Sequence, residues 1–222
     1  GAAPIQNIGA YGVELKDVFH SLTAVNIADG EDASFDLEEC KFGYRTSIFQ
    51  EELRGKYIIT SVQLRLSKYS LPVLDYGDVK ARLTEHYSEP YSLEEISKTI
   101  GEIRSSKLPD PKVIGNAGSF FKSPIISSEE HRRLLSAFPD SPNFPAGEQG
   151  SVKIPAGWLI EQCGWKGRSQ GNAAVSPNHA LVLVNSGDAT GEEIFSLSES
   201  ILRDVEDKFG ITLEREVTII GN

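Results

Sequence analysis

One four-residue signature, repeated three times, sets the layout of this 222-residue chain. Ser92-Leu93-Glu94-Glu95, Ser127-Ser128-Glu129-Glu130 and Thr190-Gly191-Glu192-Glu193 each put a hydroxyl three residues ahead of a glutamate. The hydroxyl accepts from the third helical amide while the glutamate reaches back to the capping amide, so each signature marks a helix start. The first predicts a helix toward Ser105 with Ile96 and Ile100 on one face. The second opens a helix through Leu135. The third opens a longer one, with Ile194, Leu197, Ile201 and Val205 at helical spacing and Gly210 as its stop. A short helix over Ala156–Cys163 follows Pro155.

Strand patterns fill the intervals. Ser21–Ala28 ends at the turn pair Asp29-Gly30. In Tyr57–Leu66, Val62, Leu64 and Leu66 alternate with Gln63 and Arg65. Ser151–Ile154, Ala180–Val184 and Ile211–Ile220 are further predicted strands, and in the last Glu214 and Glu216 share a face. Phe138–Gly150 reads as a long irregular loop. Alternation of this kind, without a Gly-rich βαβ fingerprint, predicts an α+β fold in two layers. The proline-containing segment after Lys107 is the expected domain boundary.

Composition narrows the function. Hydrophobic residues make up 39% and mean hydropathy is -0.25, enough for a real core. No apolar run approaches the ~20 residues that span a bilayer, and no signal-peptide pattern opens the chain. A net charge of -10, from 32 acidic and 22 basic residues, argues against a broad nucleic-acid surface. A small phosphate site remains open, since it needs only a few local cations. Cys40 and Cys163 lack metal spacing and are expected as reduced thiols in a cytoplasmic protein. The four histidines do not cluster, and no GxSxG elbow is present. The chain contains no methionine and begins Gly-Ala-Ala-Pro, as the interior of a longer protein would.

Candidate chemistry gathers in Arg104–Pro124. Arg104 and Lys107 lead through Pro109 and Pro111 into the turn-rich run Gly115-Asn116-Ala117-Gly118, which delivers Ser119 ahead of Phe120 and Phe121. Such a run serves equally as an ordinary turn or as a mount for a reactive hydroxyl. Residues 1–12 carry three glycines and the pair Gln6-Asn7, whose amides suit a flat polar ligand or a simple turn. Arg45, between Tyr44 and Ile48, is expected to be partly buried and to need an anion. Tyr76 sits at a loop tip.

In order, PIQNIGAYGVEL, YRTS, RSSKLPDPK followed by GNAGSFFKSP, PAGWLIEQ, HALVLVN and LEREV resemble the UDP-N-acetylenolpyruvoylglucosamine reductases (MurB), along essentially the whole chain. The Tyr76 loop is similar to that of the subgroup whose tyrosine closes over substrate. The resemblance implies part of a FAD-binding, vanillyl-alcohol-oxidase-like domain over 1–108, a substrate-binding domain over 109–210, and a returning strand over 211–222. It implies that NADPH reduces bound FAD, which passes hydride to UDP-N-acetylglucosamine enolpyruvate, giving UDP-N-acetylmuramate for peptidoglycan. Negative charge develops at the substrate carboxylate and neighbouring carbon, so cationic or donor groups and a proton source are needed. By the family pattern Arg45 and Glu216 flank the carboxylate and Ser119 gives the proton. Glu216 beside an anion would be protonated or balanced by Arg45.

Tyr76, Lys107, Ser123, Lys153 and His179 match substrate positions by the same resemblance, and Gln6, Asn7, Gly9, Ile59 and Arg104 match flavin-side positions. Ser123 stands where the family often has Asn, His179 where some members have Gln, and Phe144 where some have Tyr. A cytoplasmic monomer is expected, with neither metal, nucleic-acid nor membrane partners. The alternative is a UDP-sugar-binding fragment without flavin or turnover.

Overall fold

All three capping signatures form. Ser127 and Thr190 close reciprocal boxes with Glu130 and Glu193. The Ser92 amide donates to Glu95 Oε2 at 2.7 Å while the Glu95 amide donates to Ser92 Oγ at 3.2 Å. The helices they open are α2 (Leu93–Lys107), α3 (Ser128–Ala137) and α5 (Gly191–Phe209). The α5 helix stops at Gly210, whose φ of 64° is the left-handed turn that glycine adopts without a Cβ penalty. Two further helices are α1 (Val79–His86), which no sequence signal announces, and α4 (Ala156–Gln162).

The computed structural model describes residues 1–69, 72–146 and 150–221. Positions 147–149 of the expected irregular loop, and position 222 of the expected returning strand, lie outside the described residues. Two compact units, Gly1–Gly101 and Glu102–Asn222, divide the chain. The division falls inside α2, a few residues ahead of the proline boundary expected after Lys107.

The first unit is built on an antiparallel sheet of β3 (Phe19–Asn26), β4 (Asp32–Asp36) and β5 (Tyr57–Leu64), in the order β4-β3-β5. Gly30, at φ 78°, turns the β3-β4 hairpin. Phe19, Leu22, Ala24, Cys40 and Phe49 form its core, with Phe35, Phe42 and Tyr57 packed around them. Phe35, Phe49 and Tyr57 meet edge to face, Phe35 lying 5.1 Å from Phe49 and 5.2 Å from Tyr57. A small ladder of β1 (Gly9–Ala10) and β2 (Val13–Glu14) precedes the sheet. Both cysteines are free. Burial first, then Asp36 and Glu39, pushes the Cys40 thiol up to about 12, so it behaves as a small core hydrophobe.

The second unit has two sheets. One runs in the order β10-β11-β12-β6 and comprises β6 (Gly115–Ser119), β10 (Ser169–Gln170), β11 (Ala173–Val175) and β12 (Val182–Asn185). The other runs β7-β9-β8, comprising β7 (Ile125–Ser127), β8 (Phe144–Pro145) and β9 (Ser151–Lys153). Its core draws Leu197, Ile201 and Val205 from α5, Leu159 and Ile160 from α4, and Phe120, Phe121, Ile154 and Trp165 from between. The sequence expectations for α5 and α4 therefore hold within a residue or two.

Two expectations need correction. Gly115–Ser119, expected as a turn-rich loop, is an edge strand paired to β12. Ile211–Ile220, expected as a strand, forms a single bridge, Phe121 to Arg215, because Ile211 and Leu213 drop into the core instead of extending a ladder. Mixed helices and antiparallel sheets make the fold α+β. Among the described residues, no helix is long and apolar enough to cross a membrane.

Candidate functional site

In the first unit, Arg45 is set by backbone shape. It has a positive φ of 55°, in a segment where Gly43 and Thr46 pair across a tight turn. Its guanidinium donates from Nη2 to the Gly9 carbonyl at 2.8 Å and lies 5.6 Å from the Tyr44 ring centroid. Gly9 is where that approach needs a missing side chain. A Cβ there would stand 3.0 Å from the Val13 carbonyl and 3.2 Å from Arg45 Nη1.

Asn7 braces the same loop. It is fully buried with φ 45°, and its Nδ2 donates to Glu14 Oε2 at 3.2 Å and the Gly43 carbonyl at 2.9 Å. Its Oδ1 accepts from the Lys16 amide at 3.0 Å. Its amide therefore shapes the loop from within. Gln6 is half-buried beside it. Glu14 ties the bracket together through a 2.9 Å ion pair with Lys16. Ile59 pairs with Ala24 next to a register shift, and a Cβ on Gly1 would sit 2.8 Å from the Ile59 carbonyl. Tyr76, half-exposed, meets Tyr11 edge to face at 6.0 Å.

In the second unit the sheet mounts Ser119 at the end of β6, exposed and opposite Val182. A bulge precedes it. Gly118 has φ 72° and the register shifts between Val182 and Val184. Asn116 holds the bulge, its Oδ1 accepting from the Gly118 amide at 3.0 Å and its Nδ2 donating to the Pro109 and Ile114 carbonyls at 3.1 and 3.0 Å. The next residue, Phe120, donates its amide to the Leu181 carbonyl at 2.7 Å and accepts from the Glu216 amide at 2.8 Å. Lys122 likewise donates to the Glu214 carbonyl at 2.8 Å. The structure thus brings the chain of Glu216 alongside the residue that follows Ser119.

Other expected positions fall nearby along the same unit. Ser123 Oγ accepts from the Ala156 amide at 3.2 Å, satisfying the first orphan donor of α4. Lys153 lies between Ile125 and Phe144 in the β7-β9-β8 ladder. His179 Nδ1 accepts from the Leu181 amide at 3.2 Å, which fixes that nitrogen as the acceptor. Burial, then the Lys107 charge, with a smaller push from Lys166, holds His179 below its ordinary 6.5 against the opposing pull of Glu161. Lys107 ends α2, and Arg104, one turn earlier, is exposed.

Sequence reasoning missed Glu14, Asn116 and Arg215. Glu14, through its carboxylate on Asn7 Nδ2, and Asn116, through its amide on the bulge, act in contacts that no spacing announces. The Arg215 guanidinium donates from Nε to Ser198 Oγ at 2.8 Å and from Nη2 to Glu199, and it lies 4.6 Å from the Phe195 ring centroid. Phe195, Ser198 and Glu199 are all on one side of α5, three and four residues apart, which was the available signal.

Residues 110–220 match the family model described as UDP-N-acetylenolpyruvoylglucosamine reductase, C-terminal domain. UDP-N-acetylenolpyruvoylglucosamine reductase of Pseudomonas aeruginosa is 49% identical over 216 residues, covering 97% of this chain and 63% of its own length. The protein of that name from Flavobacterium johnsoniae is 46% identical over 221 residues, covering 99% of this chain and 65% of its own. This chain therefore spans just under two thirds of the length of these curated relatives. Among solved structures, UDP-N-acetylenolpyruvylglucosamine reductase (MurB) from Thermus caldophilus superposes with a TM-score of 0.59 at 23% identity, covering 98% of this chain and 59% of that one, a likeness of fold. With half of its residues matched by the family model and near-full-length similarity to these relatives, the chain belongs to the UDP-N-acetylenolpyruvoylglucosamine reductase family.

Proposed function

We propose that the protein containing this chain reduces UDP-N-acetylglucosamine enolpyruvate to UDP-N-acetylmuramate in peptidoglycan precursor synthesis, using NADPH and FAD. The observation that carries this reading is the pairing of Phe120–Lys122 with Glu214–Glu216, directly after Ser119. It runs the segment carrying Glu216 beside the residues that follow Ser119, within the stretch that matches the family model.

Reducing the enol ether consumes one hydride and one proton, and the carbon–carbon double bond becomes a single bond. FAD, held by the residues named below and reduced by NADPH, would supply the hydride. Charge then develops on the carbon next to the carboxylate. Ser119 Oγ gives that carbon its proton, and its exposure at the end of a sheet strand suits the role. Arg45 carries a fixed positive charge for the carboxylate, and Glu216 donates to or balances the same group. Tyr76, Lys107, Ser123, Lys153 and His179 are proposed to hold the UDP-sugar, with the two lysines as diphosphate cations.

Gln6, Asn7, Gly9, Ile59 and Arg104 are proposed, by the family resemblance, to hold the flavin. The chemistry of the set suits a flat polar ring system, with amides and backbone groups on a loop kept thin at Gly9. In this reading Asn7 contributes through the loop shape it enforces. A vanillyl-alcohol-oxidase-like flavin domain, a cytoplasmic site of action and a monomeric state complete the proposal.

Ser119→Ala in the full-length protein tests it. The NADPH-only half-reaction should survive, while consumption of the enolpyruvyl substrate slows by about 10²–10⁴-fold, the range for a lost general acid. Equal loss in both half-reactions would sink the assignment of Ser119 as proton donor.

A further inference from the structure

The 211–221 segment, which carries a proposed active carboxyl, is held by side chains as well as by its backbone. Among the described residues its backbone meets the second unit at the bridge Phe121 to Arg215 and the two bonds at Phe120 and Lys122, while Ile211, Leu213 and Val217 pack on the core and Glu214 pairs with Lys122. The side chain of Arg215 makes a separate attachment, to α5. Its guanidinium reaches the fully buried Ser198 hydroxyl at 2.8 Å, the Glu199 carboxylate, and the face of Phe195 at 4.6 Å. A planar fork meets all three at once, and a lysine ammonium cannot. Side chains alternate along an extended segment, so fixing Arg215 toward α5 turns Glu216 to the opposite side.

We propose that Arg215 is the positioning residue of the reaction: by clamping onto Phe195, Ser198 and Glu199 of α5 it holds Glu216 in register with Ser119–Lys122. The inference rests on the roles given above to Ser119 and Glu216. Arg215 touches no reacting atom in this account. It acts by fixing a neighbour, and displacements of about 1 Å in such a group cost on the order of 10²-fold in rate.

The test uses the full-length protein with Arg215→Met, Arg215→Lys and Ser198→Ala, and with Ser119→Ala run in parallel. Expected for Arg215→Met is a fall of about 10²-fold in consumption of the enolpyruvyl substrate, with the NADPH-only half-reaction unaltered. Arg215→Lys should not rescue it, and Ser198→Ala should fall between. Hydrogen exchange supplies the second readout: the Glu216 and Lys122 amides should exchange faster while the α5 amides keep their protection. Glu214→Gln, which touches only an exposed ion pair with Lys122, should match the parent in both. If Arg215→Met misfolds, Ser198→Ala carries the test alone.

Unchanged rates together with unchanged protection at Glu216 and Lys122 would overturn the proposal. So would equal slowing of both half-reactions with protection lost throughout the unit. Should Ser119→Ala prove harmless, the proposed chemistry falls first, and local exchange at Glu216 and Lys122 alone decides whether the clamp exists.

Discussion

The two units hold their proposed catalytic groups by opposite means. In the first, Arg45 rides on a loop whose shape is enforced by polar contacts and uncommon backbone angles. Asn7, Tyr11 and Arg45 all have positive φ, at 45°, 54° and 55°. The bracket of Asn7, Glu14 and Gly43 ties the loop together through polar contacts. In the second, Ser119 and Glu216 sit on short extended segments backed by Phe120 and Phe121, inside a core shared with α4 and α5. Precision in the first unit comes from satisfied hydrogen bonds, which fail abruptly when one partner is lost. Precision in the second comes from packing, which fails in proportion to the volume removed. Each mode predicts its own pattern of damage.

The largest effect is expected from Phe121→Ala. Phe121 is 1% exposed, and truncating a ring that buried costs about 3–5 kcal/mol. Chemical denaturation followed by hydrogen exchange should show the loss spread through the second unit and absent from the first. Asn7→Ala follows, at about 2–3 kcal/mol, because the Gly43 carbonyl and Lys16 amide lose their partner in a buried site. Here the loss should be confined to residues 5–16 and 42–47, with β3 to β5 keeping their protection. Damage spreading evenly through that sheet would erase the distinction between the two modes. Gly118→Ala is smaller, about 1 kcal/mol, the cost of forcing a residue with a Cβ to a φ of 72°. No atom lies within 4 Å of the added Cβ, so the penalty is conformational and not steric. Its sharper readout is the rate of substrate consumption, since Ser119 follows directly.

The same contrast explains what the sequence could disclose. Helix starts were legible because a capping box is local, and Ser127 with Glu130 satisfies its orphan amides wherever the helix lies. The apolar stripe Leu197, Ile201 and Val205 likewise announces its own burial. Strand β6 was not legible. Gly115-Asn116-Ala117-Gly118-Ser119 contains no β-branched or aromatic residue, and it becomes a strand through its pairing with Val182–Asn185. Ile211–Ile220 erred the other way, since its alternation satisfied the strand pattern while the available neighbour allowed one bridge. Of the proposed site, Arg45, Ser119 and Glu216 are named by resemblance. The supports were not: Glu14 and Asn116 bond partners within seven residues in loop geometry that no periodicity marks, and Arg215 meets the Phe195, Ser198 and Glu199 side of α5 only on folding.

His179 gives the smallest effect and ties the packing mode to pH. Burial first, and then Lys107, disfavours its charged form in the folded protein. The folded value therefore lies below 6.5, and the unfolded chain binds the proton more readily. Stability contributed by this group is complete above the unfolded value and declines as pH falls through it toward the folded one. His179→Gln should flatten that decline, so the difference in denaturation midpoint between parent and variant should shrink or change sign between pH 7.5 and pH 5. Lys107→Met removes only the charge contribution and should leave the burial contribution, giving a decline shallower than the parent's but steeper than the His179→Gln variant's. A Lys107→Met profile superimposable on the parent's would mean burial alone sets the shift, and that the end of α2 exerts no field on the β12 end of the sheet where Ser119 is mounted.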